Sequence, residues 1–154
     1  MTNSKKVIDT IIVKPGISFK ERILAGNYSW INYLLTESDF PNKPIIVGEW
    51  AFRLIHRNKN IEFEEAQRLC LCDGWQTARF EHLLALGEKF PEMQKEFPIV
   101  ALGSLFNIQG GSDVPILLSY KSQRILTLNS KHRNFGRDIH FLSVHKIFKS
   151  LILV

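Results

Sequence analysis

The apolar residues of this chain change their spacing near residue 90, and this change constrains the fold more than any other feature of the sequence. Between residues 61 and 87 they recur at intervals of three and four, which is typical of amphipathic helices. From Ile99 onward they form short runs separated by turn residues, which indicates strands. Helices followed by a series of strands predict an α+β fold, in which two or three helices pack on a mainly antiparallel sheet from the second part.

The first part contains three predicted helices. A Ser-x-x-Glu capping box precedes a short helix over residues 19–25. The second helix begins near Ile61, carries glutamates in its first turn and is expected to end at Gly74. The third covers residues 79–87, and Gly87 is expected to end it.

Strands are predicted on both sides of the helices. Residues 1–13 are interpreted as a lead-in strand, and residues 44–58 are rich in β-forming side chains. The later strand candidates are 99–103, 114–120, 125–129 and 139–146. Residues 26–41 mix helical and strand signals, so their class stays open. The closing segment 147–154 is apolar enough to form a last strand or to pack against the core.

The organisation of the chain indicates one domain in a reducing compartment. No repeat, low-complexity tract or linker interrupts it, so we expect residues 1–154 to form a single domain. No apolar run approaches the about 20 residues of a membrane-spanning helix. Cys70 and Cys72 point away from each other if they lie on one helix, which disfavours a disulfide between them. With no signal-peptide pattern at the N-terminus, we expect a cytoplasmic protein.

The net charge of +5 is unevenly distributed along the chain. Residues 61–98 are acidic, whereas residues 115–154 are basic. Such a basic region can form a surface for phosphate or nucleic acid. It can equally lie against the acidic helices of the same domain, and the sequence leaves both alternatives open.

Two basic loops supply the candidate binding residues. The first spans residues 56–59, and the second spans residues 131–137. Cations neutralise phosphates, and an aromatic ring beside them can stack on a base. The candidate nucleic-acid-binding residues are Arg57, Lys59, Lys131, Arg133, Phe135 and Arg137.

Known catalytic and metal-binding patterns do not match the sequence. The five histidines lack the H-x-x-x-H spacing of common zinc sites. Ser104 lies outside a G-x-S-x-G nucleophile elbow. The Gly110-Gly111 pair precedes a strand pattern rather than a helix, so it is interpreted as a turn and not as a phosphate loop. We expect no metal and no cofactor, and we assign no catalytic residue.

One stretch of the chain is similar to a known family. Residues 63–86 contain Glu65-Ala66, Cys70 and Gly74-Trp75, followed by paired leucines. They resemble the helix pair of C-type-lectin-like domains, in the bacterial branch related to formylglycine-generating enzymes and to the variable proteins of diversity-generating retroelements. Residues 139–146 resemble the final strand of such domains.

The resemblance implies a scaffold and no site residues. Residues 76–79 read Gln-Thr-Ala-Arg, where that branch has Arg-Leu-Pro-Thr. The calcium-lectin triplets are also missing, so the resemblance does not imply sugar binding through Ca²⁺. It transfers no catalytic residue to this chain.

These observations lead to three hypotheses about function. The first is a non-enzymatic binding or accessory domain whose strand-rich second part presents a protein or ligand surface. A buried polar cleft with a histidine or cysteine beside a base would contradict it. The second is phosphate or nucleic-acid binding through the two basic loops, which requires both loops to lie on one face. The third is an enzyme of unknown reaction.

Overall fold

A computed structural model describes residues 9–39 and 46–148 of the chain. The helices are α1 Phe19–Leu24, α2 Phe63–Cys70, α3 Phe80–Lys89 and α4 Met93–Glu96. The strands are β1 Thr10–Val13, β2 Trp30–Ile31, β3 Gly48–Ile55, β4 Gln76–Thr77, β5 Ile99–Val100, β6 Phe106–Ile108, β7 Gly111–Tyr120, β8 Gln123–Ser130 and β9 His140–Lys146. Short 3₁₀ turns occur at Glu37–Asp39 and Cys72–Gly74. The predicted α+β class is confirmed.

The described strands form one mixed sheet in the order β1-β3-β9-β5-β7-β8-β2, with β4 paired to β9 and β6 paired to β7. Most neighbours are antiparallel, as predicted, but β5–β9 and β2–β8 are parallel. The sheet also takes β1 and β3 from the first part of the chain. The C-terminal strand β9 returns to pair with β3, from Trp50 opposite Lys146 to Ile55 opposite Phe141. This long-range pairing joins the two parts of the chain.

The sheet separates two apolar cores because alternate residues of a strand face opposite sides. In β9, Leu142 and Val144 belong to the first core, whereas Phe141 belongs to the second. Helices α1 and α3 cover the first side, which we name the helix-covered face. Helix α2 covers the second side together with the segments that follow β3 and β8. We name this second side the loop-covered face.

The first helix forms largely as predicted, whereas the second ends at Cys70 and not at Gly74. Ser18 Oγ accepts a hydrogen bond from the Glu21 amide at 3.1 Å, as expected for the start of α1. Helix α2 begins two residues later than expected, because Ile61 instead forms an isolated antiparallel bridge with Phe135. Cys72 lies in the 3₁₀ turn beyond α2, so it is exposed while Cys70 is buried.

The prediction that Gly87 ends the third helix is wrong, because α3 continues to Lys89. A Cβ atom at this position would overlap the Tyr28 hydroxyl, so the glycine allows a close approach. Burial raises the pKa of Tyr28 to about 12. The buried Arg124 guanidinium lies 4.7 Å from the Tyr28 ring centroid and donates hydrogen bonds to the carbonyl oxygens of Gly26 and Gly87. Strand β8 is thereby fastened to the end of α1 and to α3.

Helix α4 and strands β4 and β6 were not predicted. All three are very short, and α4 lies between the predicted third helix and the strand candidate at residues 99–103. The buried Gln94 of α4 donates hydrogen bonds to the carbonyl oxygens of Leu118 and Ile125, at 2.8 Å and 3.1 Å. This side chain holds α4 against β7 and β8, a tertiary contact that has no local sequence signal.

The remaining predictions concern the two ends of the chain, residues 44–58, and residues 26–41, whose class the sequence left open. Residues 26–41 contain β2 and a 3₁₀ turn in their described part. The predicted strand over residues 44–58 is found as β3. Residues 1–8, 40–45 and 149–154 lie outside the described residues, so the predictions that fall on them are not addressed. Within the described residues, no helix has the length and apolar composition needed to cross a membrane.

Candidate nucleic-acid interface

The structure brings the two basic loops together. His56 Nε2 lies 2.7 Å from the carbonyl oxygen of Arg137, and because a carbonyl only accepts, Nε2 carries the proton. Ile61 and Phe135 exchange two backbone hydrogen bonds, at 3.0 Å and 2.8 Å. The segment that follows β3 is therefore joined to the segment that follows β8 at two points. This is the convergence that a shared binding surface requires.

Three stacked aromatic side chains lie beside the junction of the two loops. The imidazoles of His56 and His140 are parallel, with centroids 4.2 Å apart, and the Phe97 ring stacks on His140 at 3.8 Å. His140 Nδ1 donates to the carbonyl oxygen of Asp138 at 2.9 Å. Burial lowers the pKa of His140, with a smaller contribution from the neighbouring His56. The two imidazoles and the Phe97 ring are therefore positioned as stacking partners.

Phe135 does not lie at the surface, where the predicted site requires it. Its side chain has 0% exposure and packs edge-to-face on Phe141, with ring centroids 5.3 Å apart. Because it belongs to the core of the loop-covered face, it has no free ring surface for a base. The prediction of an aromatic stacking residue in this loop is therefore wrong, and Phe135 is instead the anchor that fixes the loop to the sheet.

The predicted cations differ in their surroundings. Arg57, Arg133 and Arg137 are exposed, and none of them forms an ion pair with a described residue. Lys59 Nζ lies 3.3 Å from a carboxylate oxygen of Glu65, and both side chains are largely exposed. The half-buried Lys131 places its Nζ 5.3 Å from the centroid of the Phe63 ring. The three arginines are therefore the cations most available to an anionic ligand.

Among the described residues, no ion pair joins the second basic loop to the acidic region. The carboxylates of the acidic region pair with cations from earlier in the chain or from the same region. The ion pairs among described residues are Lys14–Glu88, Lys59–Glu65, Arg79–Glu81 and Lys95–Glu92. None of these pairs involves residues 131–137, although Lys131 places its Nζ over the ring of Phe63 at the start of α2.

A groove between β3 and α2 continues the basic surface. It has a volume of about 420 Å³, and its lining includes the side chains of Arg53, Arg57 and Arg68 and the carboxylate of Glu65, which pairs with Lys59. The Arg53 guanidinium is held in place by three contacts, which are the Ser143 hydroxyl at 3.4 Å, the carbonyl oxygen of Cys72 at 3.2 Å and the Trp75 ring at 4.5 Å. Arg57 belongs both to this groove and to the first basic loop.

Sequence reasoning did not identify Arg53 and Arg68 as candidate residues. A signal for each was present. Arg53, Ile55 and Arg57 alternate along β3 and its extension, so they share one face. Arg68 lies three residues after Glu65 on α2, on the helix surface that faces this strand. Only the packing of α2 on the sheet, mainly against β9, shows that these two patterns meet at one groove.

A second polar cluster lies at the start of α3, on the helix-covered face. His82 Nδ1 accepts the backbone N–H of Arg79 at 2.9 Å, and burial lowers the pKa of His82 to about 3, so the ring is neutral. The carboxylate of Glu81 lies beside Arg79 at 3.2 Å, and burial raises the pKa of Glu81. Because both Glu81 and His82 contact Arg79 rather than each other, they do not form an acid–base pair.

Nucleophile chemistry has little support among the described residues. Ser104 Oγ accepts the backbone N–H of Phe80 at 2.8 Å and is buried. Burial raises the pKa of the Cys70 thiol to about 12, which keeps it protonated. In the described part of the chain, no group of histidine, cysteine and carboxylate side chains is placed to hold a metal ion.

Comparisons with known proteins do not narrow the function. A scan against protein-family models finds no matching family, and searches of curated proteins and of solved structures find no match either. The assignment of function therefore depends on the geometry described above.

Proposed function

We propose that this chain is a non-enzymatic binding domain whose ligand is a nucleic acid, held mainly by its phosphates. The observation that carries the proposal is the junction of the two basic loops, which places Arg57, Arg133 and Arg137 on adjoining segments. All three are exposed and form no ion pair with a described residue. A guanidinium presents several N–H donors to phosphate oxygens and is always charged.

The arginine groove supports the same proposal. Arg57 connects it to the loops, so a backbone that follows the loops can continue towards Arg68. Arg53 is already fixed by its contacts with Cys72 and Trp75, so little side-chain entropy is lost when it meets a phosphate.

The burial of Phe135 defines the mode of binding. Because no aromatic ring is exposed in the two loops, the contacts with the ligand are mainly electrostatic contacts with phosphates. Such contacts distinguish little between one base and another. We therefore expect sequence-tolerant binding that weakens steeply with salt. The other hypotheses, a protein-binding surface on a C-type-lectin-like scaffold and an enzyme of unknown reaction, stay predictions.

The test is fluorescence anisotropy with labelled single-stranded RNA and duplex DNA between about 50 and 200 mM salt. The site variant combines Arg57→Gln, Arg133→Gln and Arg137→Gln. A control variant with the same net charge combines Lys20→Gln, Lys95→Gln and Lys121→Gln, which lie on α1, on α4 and in the turn between β7 and β8.

Loss of three phosphate contacts lowers the slope of log K against log salt by about two for a single strand. We expect this change in the site variant and not in the control. The proposal is wrong if the wild-type protein shows no salt-dependent binding, or if both variants weaken binding equally.

A further inference from the structure

The arginine groove between β3 and α2 is short, and a contact crosses it at each end. At one end, the Arg53 guanidinium donates to the carbonyl oxygen of Cys72, in the turn that follows α2, at 3.2 Å. At the other end, next to the basic loops, Lys59 and Glu65 form their ion pair at 3.3 Å. The distance from Glu65 to Cys72 along α2 and its turn is about 10 Å, at about 1.5 Å per residue. The groove therefore suits the end of a strand better than a strand that passes through it.

The lining of the groove carries more positive than negative charge. Its three guanidiniums, of Arg53, Arg57 and Arg68, share the lining with a single carboxylate, that of Glu65. This carboxylate is already paired with Lys59, whereas none of the three arginines forms an ion pair with a described residue. An anion with more than one charge would balance this excess of positive charge.

The same groove also has an apolar part. Ile55 of β3 and Leu69 of α2 line it, and both side chains are half-buried against the core of the loop-covered face. The volume of about 420 Å³ falls within the range of about 300 to 1,000 Å³ that is typical of sites for small organic ligands. Cations beside an apolar surface suit a ligand that joins an anionic group to a flat, weakly polar ring, as a nucleotide does.

We infer that the groove binds the terminal nucleotide of a nucleic-acid strand whose end carries a phosphomonoester. This inference rests on the proposed function and adds the chemistry of the strand end. A phosphomonoester carries a charge of about −1.5 to −2 at pH 7 and three acceptor oxygens, whereas a phosphodiester within the strand carries a single charge. The three guanidiniums match the phosphomonoester, and Ile55 and Leu69 contact the sugar or base of the same nucleotide. From Arg57 the strand continues to the two basic loops.

Fluorescence anisotropy with labelled single-stranded RNA tests the inference on the wild-type protein, at a length of about ten nucleotides, which is typical of single-strand-binding sites. One strand carries a 5′-phosphate, a second carries a 3′-phosphate, and each has a hydroxyl-ended counterpart with the same label. Hydroxyl-ended strands that are about two nucleotides longer match the charge added by the phosphomonoester. We expect one phosphorylated strand to bind about tenfold more tightly than both of its hydroxyl-ended controls. A tenfold change corresponds to about 1.4 kcal/mol, which is close to the contribution of one hydrogen bond to a charged group.

The variant Arg68→Gln assigns the contact, because Arg68 lines the groove but lies outside both basic loops. It should remove most of the tenfold preference. Lys20→Gln, with the same charge change at an exposed position on α1, should leave the preference unaltered. The inference is overturned if neither phosphorylated strand binds more tightly than its charge-matched control, or if the preference persists in Arg68→Gln. The proposed function is judged separately: if the hydroxyl-ended strands bind in a salt-dependent way while the preference is absent, only the inference fails.

Discussion

The two faces of the sheet use ionisable side chains in opposite ways. On the helix-covered face, α1 and α3 close over the sheet, so Glu81 and His82 are buried together with their neighbours. On the loop-covered face, the short helix α2 and two loops close the core with apolar anchors such as Phe135, and the cations remain at the surface. Glu81 is therefore buried under the layer of α1 and α3, whereas Arg57, Arg133 and Arg137 stay exposed on the loops of the other face.

Two arginines from the basic region of the sequence show the difference. Arg124 lies in β8, where it is buried and donates to the Gly87 carbonyl oxygen at 2.7 Å. Arg137 contributes its backbone carbonyl to the loop junction and leaves its side chain in solvent. Net charge along the sequence counts both residues equally, although only Arg137 presents its guanidinium to an external ligand.

The largest expected effect tests the anchor of the loop-covered face. Phe135→Ala should lower the free energy of unfolding by about 3 to 5 kcal/mol, because it removes a fully buried aromatic ring. Urea denaturation measures this, with Phe148→Ala as a control at an exposed phenylalanine, where the change should be small. If Phe135→Ala instead abolished RNA binding at unchanged stability, the ring would be a stacking residue and the comparison of the two faces would fail.

The sequence identified the elements of this fold better than their partners. The helical period predicted α2 and α3, and the β-forming runs predicted β7, β8 and β9, because these signals are local. The end of α3 was misjudged, since Gly87 is required by a contact with Tyr28 and not by a helix cap. The pairing of β9 with β3 was also missed, because it joins residues about 90 positions apart in the chain.

For the candidate site, the sequence likewise predicted the residue types better than their burial and contacts. Composition indicated the cations of both loops, and the structure places them side by side. Composition could not separate Phe135 from a surface aromatic, because burial depends on the bridge to Ile61. It also could not show that Arg53 and Arg68 meet across a groove, since the position of α2 on the sheet, mainly against β9, decides this.

A pH titration of stability sharpens the description of the helix-covered face. The pKa of His82 is lowered to about 3 in the fold by burial, from an ordinary value of 6.5, so the unfolded chain binds more protons between these values. The stabilising contribution is present above pH 6.5 and is lost as the pH falls towards 3, by at most about 1.4 kcal/mol per pH unit. Glu81 acts in the opposite direction, because its raised pKa favours the protonated form in the fold.

The variant His82→Gln isolates this contribution. Glutamine keeps an acceptor for the Arg79 N–H but does not titrate, while the contribution of Glu81 is present in both proteins. Urea denaturation at pH 7, 5.5 and 4.5 should therefore show that the variant loses less stability on acidification than the wild-type protein does. Parallel pH profiles for the two proteins would show that His82 is accessible to protons in the folded state.

A tighter packing contact on the same face is tested at Gly87. Gly87→Ala should lower the free energy of unfolding by about 1 to 3 kcal/mol, although alanine is the better helix former, because the added methyl group meets the Tyr28 hydroxyl and the Leu117 side chain. A double-mutant cycle with Tyr28→Phe measures the coupling by urea denaturation. The cost of Gly87→Ala should be smaller in the Tyr28→Phe background, and an equal cost in both backgrounds contradicts this contact.

The smallest effect on stability is expected on the loop-covered face, at Arg137. Arg137→Gln keeps the backbone carbonyl that accepts the His56 hydrogen bond, so the free energy of unfolding should change by less than about 0.5 kcal/mol. The slope of log K against log salt for single-stranded RNA should fall by about 0.7, which corresponds to one lost phosphate contact. Lys121→Gln, with the same charge change in the β7–β8 turn, should leave the slope unaltered. If Arg137→Gln cost more than about 1 kcal/mol of stability and left the slope unchanged, this cation would be structural, as Arg124 is, and the two faces would not differ in the way described.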